Sequence, residues 1–356
     1  MKTFRQCIYL PLLLSCSLLS ACNAQNNQTT TTNSLINQTY QIQKVATFAE
    51  PWAMTELVDG RLLITERRGK LKLFDPSTLK SIEILGLPEV AYGGQGGLGD
   101  IVLHPDFANN HQIYLSYAET GKGGYGAVVI RGELNLQEKN PRIINIKRIW
   151  EQVPKVSGQG HYAHRMIFAK DGKLWISSGE RQKFDPAQDM NSNLGKVLRL
   201  NDDGTVVADH PFTQQGEIAK QVWSLGHRNP LGMAFDAKDQ LWVVEMGPKG
   251  GDELNLIKKG ENYGYPIVSN GDHYSGKPIP DHVTRPEFKA PEISWTPVIS
   301  PSSLVFYQDE LFPKWNHKAL IGGLSSEAII VVDTESKPVR EVQRLNMQQR
   351  IRDIHP

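Results

Sequence analysis

Cysteine is scarce in this 356-residue chain: Cys7, Cys16 and Cys22 are the three, and none follows position 22. A folded body beyond that point holds no disulfide framework, no cysteine nucleophile and no cysteine metal site. Charge of one sign is also lacking. Lys and Arg number 39 against 38 Asp and Glu, leaving a formal net charge of +1, which argues against a general nucleic-acid binder. Long hydrophobic runs are missing as well: the apolar stretch from Ile8 to Leu14 is too short and interrupted for a membrane-spanning helix. Helix-period patterning is absent too. Short β-branched runs separated by turns, with 31 Gly and 21 Pro, favour an all-β protein.

Lys2 and Arg5 precede the apolar stretch and small residues follow it, the layout of an export signal. Leu19-Ser20-Ala21-Cys22 has the form of a bacterial lipobox, which makes Cys22 the lipidated first residue of the mature protein; cleavage after Ala24 instead releases a soluble one. The expected organisation is a lipoprotein signal peptide over 1–22, a flexible Asn-, Gln- and Thr-rich tether over 23–38, and one β domain over 39–356. Asn23 rather than Asp after the cysteine favours a periplasmic protein held at the outer membrane.

One phrase recurs along the mature chain: an apolar strand, an Asp-containing turn, a second apolar strand. Its copies begin at Ala53, Ile101, Met166, Met233 and Leu304. Such repetition with period-two alternation selects a β-propeller over an ordinary antiparallel sandwich. Five copies and a sixth opening at Arg350–Pro356 predict six blades, with the last blade incomplete and an unpaired sheet edge beside Arg350–Asp353. Closure by the N-terminal strand around Tyr40–Phe48 is the alternative.

Several motifs carry chemistry. Gly94–Gly99 satisfies G-x-G-x-x-G, yet the extended segment IVLHP follows, with no helix to receive a pyrophosphate, so a nicotinamide site is excluded. The segment GHYAHRMIF holds His161 and His164, either of which could act as a base near neutral pH, ligate a metal, or simply sit exposed. The run Gly247–Glu253, GPKGGDE, offers the oxygen-only donor set that Ca²⁺ prefers. Arg350 and Arg352 alternate along one strand and so share a face, which suits a polycarboxylated anion.

Together with GHRNP (Gly226–Pro230), EMGPKGGDELNLI, NYGYP and GGQGGLGDIVLHPDF, these segments resemble the soluble pyrroloquinoline quinone (PQQ)-dependent sugar dehydrogenases, the glucose/sorbosone dehydrogenase-like family, from about Phe48 to Asp353. The resemblance implies PQQ- and calcium-dependent oxidation of aldoses to lactones, with an external electron acceptor. It implies His161 as the general base, with Glu180 orienting it and Arg228 stabilising charge on the quinone. Gln95, Arg228, Asn229, Tyr274, Arg350 and Arg352 are the implied cofactor contacts. The Gly247 and Pro248 carbonyls are implied ligands of a cofactor-bound calcium, and Glu253 with the Tyr263 carbonyl those of a structural one. Ser325 stands where family members often carry Lys or Arg, a loss of charge that should weaken cofactor binding. A calcium-dependent lactonase and a catalytically silent cell-surface binding propeller are the competing expectations.

Overall fold

The computed structural model describes residues 31–35, 38–137 and 139–355. The chain divides into two compact units, Met1–Ala46 and Thr47–Pro356. In the first, Thr31–Leu35 pairs antiparallel with Gln38–Ile42, so part of the expected tether is strand. The signal peptide, Cys22 and residues 23–30 lie outside the described residues.

The second unit is a β-propeller of five four-stranded antiparallel meanders. Blade 1 is built from Pro51–Glu56, Leu62–Glu66, Lys70–Asp75 and Lys80–Ile84, and blade 2 from Leu98–Leu103, Gln112–Gly121, Gly124–Asn135 and Arg142–Glu151. Blade 3 comprises Ala163–Phe168, Leu174–Ser178, Lys196–Leu200 and Val222–Leu225. Blade 4 comprises Pro230–Phe235, Leu241–Glu245, Asp252–Leu256 and Ile293–Trp295, and blade 5 Pro301–Phe306, Ala319–Gly323, Ala328–Asp333 and Arg340–Asn346. In each blade the first strand is innermost, and these inner strands pack side by side in chain order from blade 1 to blade 5.

The recurring phrase has a local cause. Its Asp closes the turn between the first two strands by accepting a backbone N–H two residues on: Asp59 from Arg61, Asp171 from Lys173, Asp236 from Lys238 and Asp309 from Leu311. The copy at Ile101 differs, turning instead through the short helix Phe107–Asn110. Inside the blades, alternate side chains face opposite neighbours. Ile113, Leu115 and Tyr117 pack toward blade 1 while Tyr114 and Ala118 pack toward blade 3. Trp175 and Val197 face blade 4, whereas Ile176 and Leu198 face blade 2. Blades 2 and 3 are therefore buried on both faces, which explains why their second strands read as nearly unbroken apolar runs.

The expected sixth blade is not formed: the structure has five. Residues 347–355 are too few for four strands, and they contain none among the described residues. They run instead along the seam between blades 5 and 1. Ile351 N–H donates to the Gly323 carbonyl at 3.2 Å, and its own carbonyl accepts from Ser302 Oγ. Asp353 accepts the Met54 N–H at 2.9 Å and the Arg165 guanidinium at 3.0 Å. Arg165 also reaches Asp100, the Leu231 carbonyl and the Ser302 carbonyl. One buried guanidinium thus ties blades 2, 3, 4 and 5 to the segment that holds blade 1. The segment expected to be a free edge is bonded on both sides.

Candidate active site

The chain from His161 to His164 leaves the seam of blades 2 and 3 and enters the inner strand of blade 3. Three of its non-glycine residues have left-handed backbones, His161 (φ 48°), Ala163 (φ 65°) and His164 (φ 77°). Such conformations persist only where surroundings over-determine them, and they gather at functional sites. The surroundings here are specific. Gln95 Oε1 accepts the His161 N–H at 2.8 Å, and Asn229 Oδ1 accepts the Ala163 N–H at 3.2 Å. Arg181, buried behind them, donates to the carbonyls of Gly160, Tyr125 and Gly158 and stacks its guanidinium 3.7 Å from the Tyr162 ring centre.

His161 is buried, and its Nδ1 lies 2.5 Å from Glu180 Oε1. The other Glu180 oxygen accepts the backbone N–H groups of Lys183 and Phe184. The carboxylate is thereby fixed, and so is the imidazole: Nδ1 faces Glu180 and Nε2 remains free for chemistry. Burial lowers the His161 pKa below its ordinary 6.5; Glu180 pulls it back up, and the Arg228 charge lowers it further. Glu180 stays below the ordinary carboxylate value: burial opposes this, but the His161 hydrogen bond and its charge win.

Two cavities flank this segment. The outer one, of about 240 Å³, is lined by His161, Glu180, Arg228, Pro248, Tyr265 and Tyr274, among others. Tyr274 is 75% exposed, with the Arg228 guanidinium 5.8 Å from its ring centre, so it forms an open, solvent-facing wall rather than a packed one. The inner cavity, of about 260 Å³, is walled by Arg67, Gln95, His164, Arg350 and Arg352 with Trp52, Tyr162 and Met246, and no carboxylate lines it. Burial and the charges of Arg165, Arg350 and Arg67 bring Arg352 down to about 10. Ser325 reaches neither cavity; its hydroxyl donates to Ser300 Oγ.

Arg228 Nη1 donates to the carbonyls of Met246 and Gly247, at 2.9 and 2.7 Å, so a guanidinium occupies the Gly247 oxygen expected to hold calcium. Its Nε and the Asn229 amide nitrogen are buried without a protein partner, as expected of donors awaiting a ligand. The loop 247–251 is tight: Gly251 (φ 65°) runs so close to Asn270 that a Cβ would lie 2.5 Å from its carbonyl carbon. Asp252 is not turned toward a metal; it accepts the N–H groups of Gly247, Ile299 and Ser300 and joins blade 4 to blade 5.

Beside this loop, Glu245, Glu253, the Tyr263 residue and Ser269 line a space of about 10 Å³. Asn255 Nδ2 donates to both carboxylates, at 3.0 and 3.2 Å. Burial, and the nearby Glu245 charge, push Glu253 well above the ordinary carboxylate value. Two crowded buried carboxylates are costly unless a proton or a positive charge lies between them, and Arg228 lines the same space. Glu245 was missed by sequence reasoning. It also accepts the Arg228 N–H and His227 Nδ1, and His227 Nε2 in turn meets Ser224 Oγ. A carboxylate ending a wholly buried strand, as Glu245 does, was the available signal.

Comparison with known proteins decides what this arrangement belongs to. The family model for glucose/sorbosone dehydrogenase matches residues 48–356. The chain belongs to the glucose/sorbosone dehydrogenase family. It is 37% identical over 312 residues to the aldose sugar dehydrogenase of Escherichia coli, covering 85% of this chain and 83% of that protein. The apo-form crystal structure of the soluble E. coli enzyme superposes with a TM-score of 0.80 at 36% identity, covering 86% and 89% of the two chains. The PQQ-bound aldose sugar dehydrogenase of Streptomyces coelicolor superposes with a TM-score of 0.74 at 26% identity, covering 92% and 90%. As a member of this dehydrogenase family the chain is an oxidoreductase.

Proposed function

We propose that this chain oxidises aldose sugars to lactones, using PQQ and Ca²⁺ and passing electrons to an external acceptor. The observation that carries the proposal is the fixed His161–Glu180 pair, whose free Nε2 faces a cavity shared with Arg228 and Tyr274. Around it, a carboxylate-free cavity ringed by three guanidiniums suits a group with several carboxylates. Gln95, Asn229, Arg228, Tyr274, Arg350 and Arg352 would hold PQQ; Glu253 with the Tyr263 carbonyl would hold a structural Ca²⁺. A second Ca²⁺ at the Gly247 and Pro248 carbonyls requires Arg228 to release the Gly247 oxygen. When bound, PQQ supplies the hydride acceptor and Ca²⁺ a Lewis acid that polarises it.

The chain's own part is proton handling and positioning. His161 Nε2 takes the proton of the sugar hydroxyl as its carbon is oxidised, and Glu180 stabilises the resulting imidazolium. Arg228, lining the cavity, would supply positive charge to a bound quinone as it gains electrons, stabilisation set up before the reaction begins. Tyr274, exposed at the mouth, offers a ring face to a sugar or to the cofactor. Export and lipid anchoring at Cys22, with placement at the outer membrane, belong to the same proposal. Purified protein, reconstituted with PQQ and Ca²⁺, should reduce a dye in the presence of aldoses; lactone hydrolysis with Ca²⁺ alone would replace the proposal with a hydrolase.

A further inference from the structure

His164 has no role in the chemistry above, yet its placement is unusual. It is 3% exposed, and neither ring nitrogen has a hydrogen-bond partner in the protein. The ring stacks on Tyr162, with centroids 5.2 Å apart, and meets Trp52 edge-on at 5.9 Å. Its backbone is pinned: the N–H donates to Tyr162 and the carbonyl accepts from Ser116 Oγ. A Cβ on Gly99 would lie 2.7 Å from the ring, so the imidazole packs directly on the Gly99 backbone in space that only a glycine leaves open. The side chain is therefore held as a wall of the inner cavity, beside Arg67, Arg350 and Arg352.

A buried imidazole with both nitrogens unpaired is costly unless a ligand pairs one of them. The cavity's charge says what kind. Arg350 and Arg352 have no ion pair among the described residues, and Arg67 donates to the Gly94 and Gly96 carbonyls. Burial, with the charges of Arg181, Arg67 and Arg165, holds His164 down to about 3, so it enters as a neutral ring with one N–H to give. Of the carboxylates around these cations, Asp100 and Asp353 are engaged by Arg165, and Glu50, exposed outside the cavity, lies 3.9 Å from Arg67.

We propose that His164 is a ligand-binding residue, donating its ring N–H to a carboxylate of an anionic ligand seated among Arg67, Arg350 and Arg352. It rests on the PQQ proposal for the ligand's identity. Gln95, which lines the same cavity and holds the His161 backbone, would sense that ligand directly.

Two probes separate this contact from the cofactor assignment: PQQ itself and trimesate, a redox-silent benzenetricarboxylate. Affinities of the metal-loaded protein are measured by calorimetry for wild type, His164→Leu and His164→Gln, with melting temperatures as a check on folding. A charge-assisted hydrogen bond predicts a loss of about tenfold or more in PQQ affinity for His164→Leu. His164→Gln, which keeps a donor, should stay closer to wild type, and the His164 ¹⁵N resonances of the wild type should shift on binding. Equal PQQ affinity in all three proteins, with no such shift, overturns the His164 contact while sparing the cofactor assignment. Trimesate binding that weakens in His164→Leu, with no PQQ binding by wild type, supports the contact and sinks the cofactor. Binding of neither probe overturns both.

Discussion

At the scale of single residues, the catalytic claim reduces to two nitrogens and two oxygens. His161 works only while Nε2 is unprotonated, so activity should be full above its pKa and fall as pH drops through it. Burial sets that pKa below 6.5, and Glu180 works against the burial. Glu180→Gln should therefore move the acid limb of kcat/KM to lower pH while lowering the plateau, since the imidazolium loses its counter-charge. An acid limb unmoved by that substitution would detach Glu180 from the base. The Glu253 site makes a metal-dependent prediction. Chelation should lower the melting temperature, because an ion bound at 100 times its Kd stabilises by about 2.7 kcal/mol. Glu253→Gln should erase most of the difference between Ca²⁺-loaded and chelated protein; an unchanged difference would place the ion elsewhere.

At the scale of elements, the Asp-turn is the unit that makes a blade start on time. Asp236 accepts the N–H groups of Lys238 and Gln240 and also the Trp242 indole N–H. Asp236→Ala should cost about 2–4 kcal/mol in chemical denaturation, the net worth of three hydrogen bonds. A cost near zero would make the turn a consequence of strand packing instead. These turns were legible from sequence because the Asx geometry is local, reaching two residues. The segments GHYAHRMIF, SSGERQ and GHRNP meet in the fold, where His161 pairs with Glu180 and Asn229 holds the Ala163 N–H; in sequence the choice of His161 over His164 rested on the family resemblance. What lay beyond reach were partnerships between distant segments. Gln95 Oε1 accepts the His161 backbone N–H while its side chain lines the inner cavity, and Arg228 reaches the Gly247 carbonyl; neither contact follows from spacing.

For the whole molecule, the count of blades was the expectation that failed. Repeats count phrases, but closure depends on what the last residues bond to. Here Ile351–Asp353 runs between Gly323 and Met54 as one inner segment bonded on both sides, through Ser302 and Arg165 as well. Arg165 is a cation inside an inner strand, a residue type that is buried only when paired. Its role as the centre of the ring needed the fold. Arg165→Met should destabilise by about 3–5 kcal/mol, because Asp100 and Asp353 are left buried without their counter-charge. Asp353→Asn, which keeps an acceptor for the Met54 N–H, should cost less. The reverse order would locate closure elsewhere.

The most direct test of the central claim is aldose-dependent dye reduction by the PQQ- and Ca²⁺-reconstituted protein, wild type beside His161→Ala, with PQQ binding measured in both. The account predicts that both bind PQQ and that the variant turns over about 10²–10⁴-fold more slowly, the usual cost of a lost base. Wild-type protein that binds PQQ but reduces no dye with any aldose would contradict it, as would a variant that matches wild type.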